Sequence, residues 1–326
     1  MLSHVRTPET CRRVAVLTHI HRPEAVAAAC RFISGMTDQD IACLMPPADI
    51  DAMGAALDGL VVQPLSEDLP AGEVEVAVVF GGDGTILRGA EWAMPADVPL
   101  LGVNLGHVGF LAEAESWEID QVVAHVVSRG WTMEERFVVE VVVRDRPARE
   151  GGREIWRSFA VNEVSIEKAA RERMLELLIA VDDRPLHRWA CDGVLVATPT
   201  GSTAYTFSAG GPVIWPELDA LLVVPLSAHA LFARPLVLGP QSTVTCQLVD
   251  TAPENSGVVW CDGRRSVDLR GGMEIEVSAG PHRLRMARLG LAPFTDRLVR
   301  KFGLRVEGWR GAAEARNNRA AGQQQP

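Results

Sequence analysis

This sequence predicts two domains of different class: an α/β domain built on a parallel sheet, then an all-β domain of sandwich type. Three observations carry that reading. In the first hundred residues, short apolar runs alternate with helical stretches. The best runs, Val76-Ala77-Val78-Val79-Phe80 and Leu100-Leu101-Gly102-Val103-Asn104, are continuous rather than alternating, as in strands covered on both faces. Near residue 115 the pattern changes to strand after strand, and Thr243-Val244-Thr245-Cys246-Gln247-Leu248 alternates polar and apolar like a half-buried antiparallel strand. With 326 residues, the chain is long enough for two cores.

Taken in order, Val14–Thr18 reads as a strand and Pro23–Gly35 as a helix, with proline in the first turn and glycine as the stop. Ile41–Leu44, Leu60–Val62, Val76–Phe80 and Leu100–Asn104 are further strands, and Trp117–Gly130 is one linking helix. The β half follows as Phe137–Val143, Trp156–Ile166, Leu175–Val181, Gly193–Thr198, Thr243–Val249, Val258–Cys261, Glu274–Val277 and Leu284–Leu289. Pro293–Trp309 is helical again. The expected division is 1–115 for the α/β domain, with 291–310 packing back on it, 116–290 for the β domain, and a small, polar, disordered tail at 311–326.

Composition excludes several classes of function. A formal net charge of −10 gives no basic field for nucleic acid or an anionic membrane surface. No apolar run reaches the roughly 20 residues of a membrane span, and Met1–Arg13 lacks a signal-peptide core. The expectation is a cytoplasmic protein with no nucleic-acid or membrane partner. The six cysteines, at 11, 30, 43, 191, 246 and 261, form no CxxC pair and read as reduced thiols. Lys168 and Lys301 are the only lysines against thirty arginines, and neither sits in a GxxxxGK[ST] loop. Nucleotide binding, if present, uses another device. His19 and His21 are spaced as same-face strand residues, and a polar strand end accounts for them better than a metal.

The chemistry-bearing corner is Gly81-Gly82-Asp83-Gly84-Thr85, placed between the Val76–Phe80 strand and a helix beginning near Ile86. Such a corner offers an anion free backbone N–H groups and the positive end of a helix dipole. Glycine permits close approach and positive φ. A carboxylate there repels phosphate unless it handles a proton or a metal. A tight turn with Thr85 as the helix N-cap explains the same residues. A second stretch, Asp192-Gly193-Val194-Leu195-Val196-Ala197-Thr198-Pro199-Thr200-Gly201-Ser202-Thr203-Ala204-Tyr205, runs an apolar strand into a hydroxyl-rich loop. Its hydroxyls and the N–H groups freed by Gly201 suit phosphate or ribose oxygens. A hydroxyl-capped helix start with Tyr205 as core filler suits the stretch equally well. Ser208-Ala209-Gly210-Gly211-Pro212 adds a third flexible corner.

Together these segments resemble the bacterial-type NAD kinases. Gly81–Thr85 matches that family's GGDGT motif, and Asn104-Leu105-Gly106-His107-Val108-Gly109-Phe110-Leu111 its NLGxxGFL segment. Asn162-Glu163 matches its NE pair, Asp192–Pro212 its long glycine-rich motif, and Cys261-Asp262-Gly263-Arg264 its short C-terminal motif. Ala292–Phe302 resembles actinobacterial members. GGDGT is shared with phosphofructokinases and lipid kinases, whereas TPTGSTAY with NE is far more specific. The resemblance covers roughly residues 12 to 310. It implies a Rossmann-like, phosphofructokinase-like first domain and an NAD-binding second one. It further implies phosphorylation of the adenosine-ribose 2′-hydroxyl of NAD by ATP or polyphosphate.

The same resemblance implies residue roles. Asp83 is the proton acceptor. Gly81, Gly82, Gly84 and Thr85 form the phosphate loop, with Arg88 as a cation beside it. Asp83, Gly84, Arg88, Asn162, Glu163, Arg173, Asp192, Thr203, Ala204, Tyr205, Thr206, Phe207, Ser208 and Arg264 line the NAD site. No metal-ligating residues are assigned, since Mg²⁺ is expected to be held through donor phosphates. A homodimer or homotetramer is expected. Many relatives carry arginine two residues before the Asp of the DG motif. Here Ala190 stands there, with Arg188 nearby, so a contact at that point is open. A lipid kinase shares the GGDGT corner but lacks TPTGSTAY, and a catalytically silent dinucleotide sensor would not need Asp83.

Overall fold

The computed structural model describes residues 12–66, 72–104, 109–112, 114–115, 118–170, 173–249, 256–290 and 293–304. The first half runs β1 (Arg13–Thr18), α1 (Pro23–Thr37), β2 (Ala42–Met45), α2 (Pro47–Met53), β3 (Val62–Pro64), β4 (Val76–Phe80), α3 (Asp83–Ala93) and β5 (Leu100–Asn104). Next come β6 (Ala114–Glu115), α4 (Ile119–Ser128) and β7 (Thr132–Arg136). The second half runs β8 (Val139–Arg144), β9 (Glu154–Ala160), β10 (Glu163–Lys168), β11 (Leu175–Val181), β12 (Arg184–Cys191) and β13 (Gly193–Ala197). It continues through α5 (Tyr205–Ser208), β14 (Leu221–Leu226), β15 (Leu236–Leu238), β16 (Val244–Leu248), β17 (Ser256–Cys261), β18 (Arg265–Arg270) and β19 (Glu274–Ala279). The last elements are β20 (Leu284–Arg288) and α6 (Phe294–Phe302).

The first sheet has the order β3-β2-β1-β4-β5-β20-β7, with β6 paired to β5. Every pairing is parallel except that of the edge strand β7. Alternate residues explain why its strands are apolar throughout. Val14, Val16, Val76, Val78 and Phe80 share a core with α1 and α4 on one face, while Ala15, Leu17, Ala77 and Val79 pack with Ile86, Leu87 and Ala90 of α3 on the other. Gly35 does not stop α1, which runs on to Thr37. A methyl group there would stand 2.9 Å from Val123 Cγ2, so glycine is needed for close packing of α1 against α4.

The second half is two six-stranded antiparallel sheets, β15-β14-β13-β10-β17-β18 and β12-β11-β16-β19-β8-β9, sharing one core. Two readings of the sequence change here. Leu284–Arg288, read with the β half, is inserted between β5 and β7 of the first sheet. Its residues face both layers of that core, Met286 one and Ala287 the other. Trp156–Ile166, read as one strand, breaks at Val161-Asn162, where the chain passes from one sheet of the sandwich to the other. The expected tail at 311–326, and Leu105–Val108 of the NLGxxGFL segment, lie outside the described residues.

Candidate active site

β4 delivers the chain to the carboxyl edge of the first sheet, the usual ligand edge of such sheets. There Gly81 N–H donates to Val103 O of β5 at 3.0 Å, tying the corner down. α3 then starts at Asp83, with Gly82 in the N-cap position and no side-chain cap, so Thr85 lies inside the first turn and is not the cap. None of Gly81, Gly82 and Gly84 has positive φ. Their glycine character has other causes. A methyl group at Gly81 would meet Thr85 Oγ1 at 2.5 Å, whereas at Gly82 or Gly84 it would meet nothing within 4 Å. Gly82 and Gly84 therefore leave open floor at the N-terminal, positive end of a helix dipole.

Asp83 accepts hydrogen bonds from Phe110 N–H at 3.2 Å and Leu111 N–H at 3.3 Å. It also sits at the favourable end of the α3 dipole. Gly109 makes this possible, because a methyl group there would lie 2.4 Å from Asp83 Oδ1.

A cavity of about 380 Å³ opens beside the glycine floor, lined by Thr18, His19, Ile20, His21, Arg22, Gly82, Gly84, Thr85, Arg88 and Arg264. Arg88 donates to Thr18 O at 2.6 Å and pairs with buried Asp49 at 3.0 Å. Arg264 comes from the β17–β18 turn and pairs with Glu91 of α3 at 2.8 Å; Arg265 meets the same carboxylate at 3.2 Å. His19 Nδ1 is buried without a hydrogen-bond partner among the described residues. The sequence reading missed His19–Arg22 and Glu91 as site residues. The carboxyl end of the Val14–Thr18 strand was the available signal for His19–Arg22, since neighbouring parallel strands end together.

On the sandwich side, Asn162 and Glu163 stand at the crossing between sheets. Asp262 holds that crossing by accepting from Val161, Asn162 and Glu163 N–H at 3.0, 2.7 and 3.3 Å. It can do so because Asp262 and Gly263 both take positive φ, 53° and 64°, in a tight hairpin turn. Burial and the nearby Asp262 charge push the Glu163 carboxyl up to about 8. Burial likewise raises Asp262. Three of the loop hydroxyls face inward: Thr198 donates to Val161 O at 2.6 Å, Ser202 to Pro199 O at 2.6 Å, and Thr203 to Thr200 O at 3.2 Å. Ser202 and Thr203 thus hold the loop's own backbone, and Thr198 ties the loop to the crossing at Val161. Gly201 serves packing, since a methyl group there would lie 2.0 Å from Asn162 O.

The strip Thr203–Ser208 lies beside this crossing. Thr206 is buried, Thr203 and Ala204 are half-buried, and Tyr205, Phe207 and Ser208 are exposed. Tyr205 is therefore not core filler. The structure does not gather every expected residue at one point. Glu163 pairs with Ala197 and Glu167 with Gly193, so Asp192 lies at the opposite end of the β10–β13 ladder, roughly 13 Å away. There it pairs with Lys168 at 2.5 Å. Arg173, two residues before β11, is exposed toward that same end, where Leu175 pairs with Cys191. Arg188 and Ala190 share the outward face of β12, and Arg188 is paired with Glu176.

This is the architecture of a two-domain phosphotransferase, with its open corner on the parallel sheet and its facing wall on the sandwich. Two family models match the chain: "ATP-NAD kinase N-terminal domain" over residues 62–131 and "ATP-NAD kinase C-terminal domain" over 161–289. The NAD kinase of Cutibacterium acnes is 55% identical over 299 residues, covering 92% of each chain. That of Thermobifida fusca is 48% identical, covering 95% of this chain and 94% of the relative. The chain belongs to the NAD kinase family, enzymes that convert NAD to NADP. Two solved structures share the fold at 23% identity. Yeast NADH kinase, complexed with NADH, aligns with a TM-score of 0.79 over 91% of this chain and 89% of that one. An NAD kinase from Archaeoglobus fulgidus, in complex with ATP, aligns with a TM-score of 0.64 over 89% and 97%.

Proposed function

We propose that Asp83 is the catalytic base in transfer of a terminal phosphoryl group, from ATP or polyphosphate, to the adenosine-ribose 2′-hydroxyl of NAD. The 2′-oxygen bonds to the terminal phosphorus, the bond from that phosphorus to its bridging oxygen breaks, and the proton passes to Asp83. The observation that carries this reading is the carboxylate itself, fixed by two backbone N–H groups at the edge of a glycine floor. Phosphoryl transfer through a loose transition state depends mainly on such positioning.

The donor phosphates lie over Gly82, Gly84 and Thr85, facing Arg88, Arg264, His19, His21 and Arg22. Two arginines tethered by Asp49 and Glu91 offset phosphate charge without collapsing on it. Among the described residues no group of three or more His, Cys, Asp or Glu gathers to hold a metal. A hard cation such as Mg²⁺ would be held mainly through the donor phosphates, with Asp83 the carboxylate at that edge, and would supply neutralisation of phosphate charge.

NAD occupies the sandwich side. Asn162 and Glu163 meet the adenosine, and at neutral pH the proton on Glu163 lets it donate as well as accept. Thr203–Ser208 encloses the dinucleotide, and Asp192 and Arg173 reach its far end or a neighbouring subunit's ligand. Exposed Leu231 and Phe232 support assembly as a homodimer or homotetramer. The five described cysteines are all free thiols, which supports work in the cytoplasm.

The test incubates purified protein with NAD, Mg²⁺ and either ATP or polyphosphate, and reads NADP with an NADP-specific dehydrogenase. Asp83→Asn should abolish turnover while NAD binding persists. Absence of NADP with every donor, or wild-type rates in Asp83→Asn, overturns the reading.

A further inference from the structure

α6 presents an unusual feature: its one buried residue is an arginine, Arg297, exposed by only 7%. Burying a guanidinium costs free energy unless its donors are used, so packing alone does not explain the choice. Arg297 Nη1 donates to Phe110 O at 3.1 Å and to Ala112 O at 3.4 Å. Phe110 C=O and Leu111 N–H are the two ends of a single peptide group, and Leu111 N–H donates to Asp83 Oδ1. One peptide plane is thus gripped by a cation on its carbonyl side and by the Asp83 carboxylate on its amide side. Were that peptide to flip, the Phe110 carbonyl would face Asp83 and repel it. The cation also polarises the peptide and strengthens its N–H as a donor.

The aromatic residues of α6 divide between the two sides of the site. Phe294 and Phe302 flank the Phe110 ring at 5.7 and 5.9 Å between ring centres. On the sandwich side, Phe302 stacks on Phe207 at 4.4 Å and Phe294 meets Trp215 edge-on at 5.0 Å. One helix therefore touches both the loop that holds Asp83 and the strip proposed to enclose NAD.

We propose that Arg297 is a positioning residue for phosphoryl transfer, acting through the Phe110–Leu111 peptide on Asp83, while Phe302 steadies Phe207 on the dinucleotide side. This rests on Asp83 being the proton acceptor. The test measures kcat, KM for NAD and for ATP, NAD affinity by calorimetry, and melting temperature for Arg297→Gln, Arg297→Lys, Phe302→Leu and Asp83→Asn. Arg297→Gln should lower kcat about 100-fold with KM for NAD within about twofold of wild type, as expected of a misplaced catalytic group. Arg297→Lys keeps the charge but not the fork, and should recover about a tenth of wild-type kcat. Phe302→Leu should show the converse split, raising KM for NAD about fivefold with kcat within about twofold. If Arg297→Gln does not fold, the lysine variant decides by the same split.

Wild-type kcat in the arginine variants beside an inactive Asp83→Asn overturns the positioning role alone. Equal losses in kcat and KM across the Arg297 and Phe302 variants, tracking melting temperature, also overturn it, because they make α6 a prop for the fold. Wild-type activity in Asp83→Asn removes the reading beneath it.

Discussion

Gly109 lies against Asp83 so closely that a methyl group on its α-carbon would stand 2.4 Å from the carboxylate oxygen Oδ1. The glycine of the NLGxxGFL segment thus sets where the proposed base points. Gly109→Ala should turn Asp83 away from its two backbone donors and lower kcat about 100-fold. NAD affinity should stay within about twofold, because the added methyl group would meet the Asp83 carboxylate first, and not the Asn162-Glu163 side chains proposed to bind the adenosine. Steady-state kinetics with calorimetry of NAD binding checks both.

Gly82 and Gly84 give the opposite case. A methyl group at either position meets no protein atom within 4 Å, and neither residue has positive φ. Gly84→Ala should fold normally and gain up to about 1 kcal/mol from helix propensity. The same methyl group occupies the floor proposed for donor phosphates, so KM for ATP should rise about tenfold or more. Thermal unfolding and a donor titration together separate the two effects.

Gly201 touches the Asn162 backbone, where a methyl group would lie 2.0 Å from the carbonyl oxygen. No side-chain rotation relieves a clash with backbone, so Gly201→Ala should destabilise the sandwich by about 3 kcal/mol. It should also displace Asn162 and weaken NAD binding. Urea unfolding followed by tryptophan fluorescence measures the first effect and calorimetry the second.

Glu163 predicts a pH dependence. Its carboxyl is raised from 4.5 to about 8 by burial and by the Asp262 charge. Between those values the folded protein keeps a proton that the unfolded chain has lost, so stability falls as pH rises from about 4.5 to 8. The slope approaches about 1.4 kcal/mol per pH unit for this one group. Glu163→Gln keeps the shape of the protonated carboxyl without an ionisable proton. Its unfolding free energy should decline less across that window than that of the wild type, measured by urea denaturation at several pH values.

Much of the fold was legible because its physics is local. The Val76–Phe80 run is apolar at every position because helices cover both faces of the first sheet, and Thr243–Leu248 alternates because only one face of its sheet meets the core. Leu284–Arg288 was misassigned because a strand's periodicity does not say which sheet it joins. The corner at Asp83 was legible as a strand, glycine turn and helix. Arg88 was legible there on the helix that follows, and Arg264 only through the family resemblance; His19–Arg22 were missed, since they reach the corner from a distant part of the chain. Thr198, Ser202 and Thr203 looked like ligand donors, yet their hydroxyls donate to backbone carbonyls, Thr198 to Val161 at the crossing and the other two within the loop.

The sequence by itself determined the two fold classes, the family resemblance and the placing of a carboxylate among glycines at a helix start. Periodicity and short motifs suffice for these, because each depends on residues near one another along the chain. The tertiary structure decided why each glycine is a glycine, and where the Asp83 carboxylate is held. Those answers depend on contacts such as Gly109 with Asp83, Gly201 with Asn162, and Arg297 with Phe110, 187 residues away. Only packing brings such partners together, and no local pattern encodes a distance across the fold.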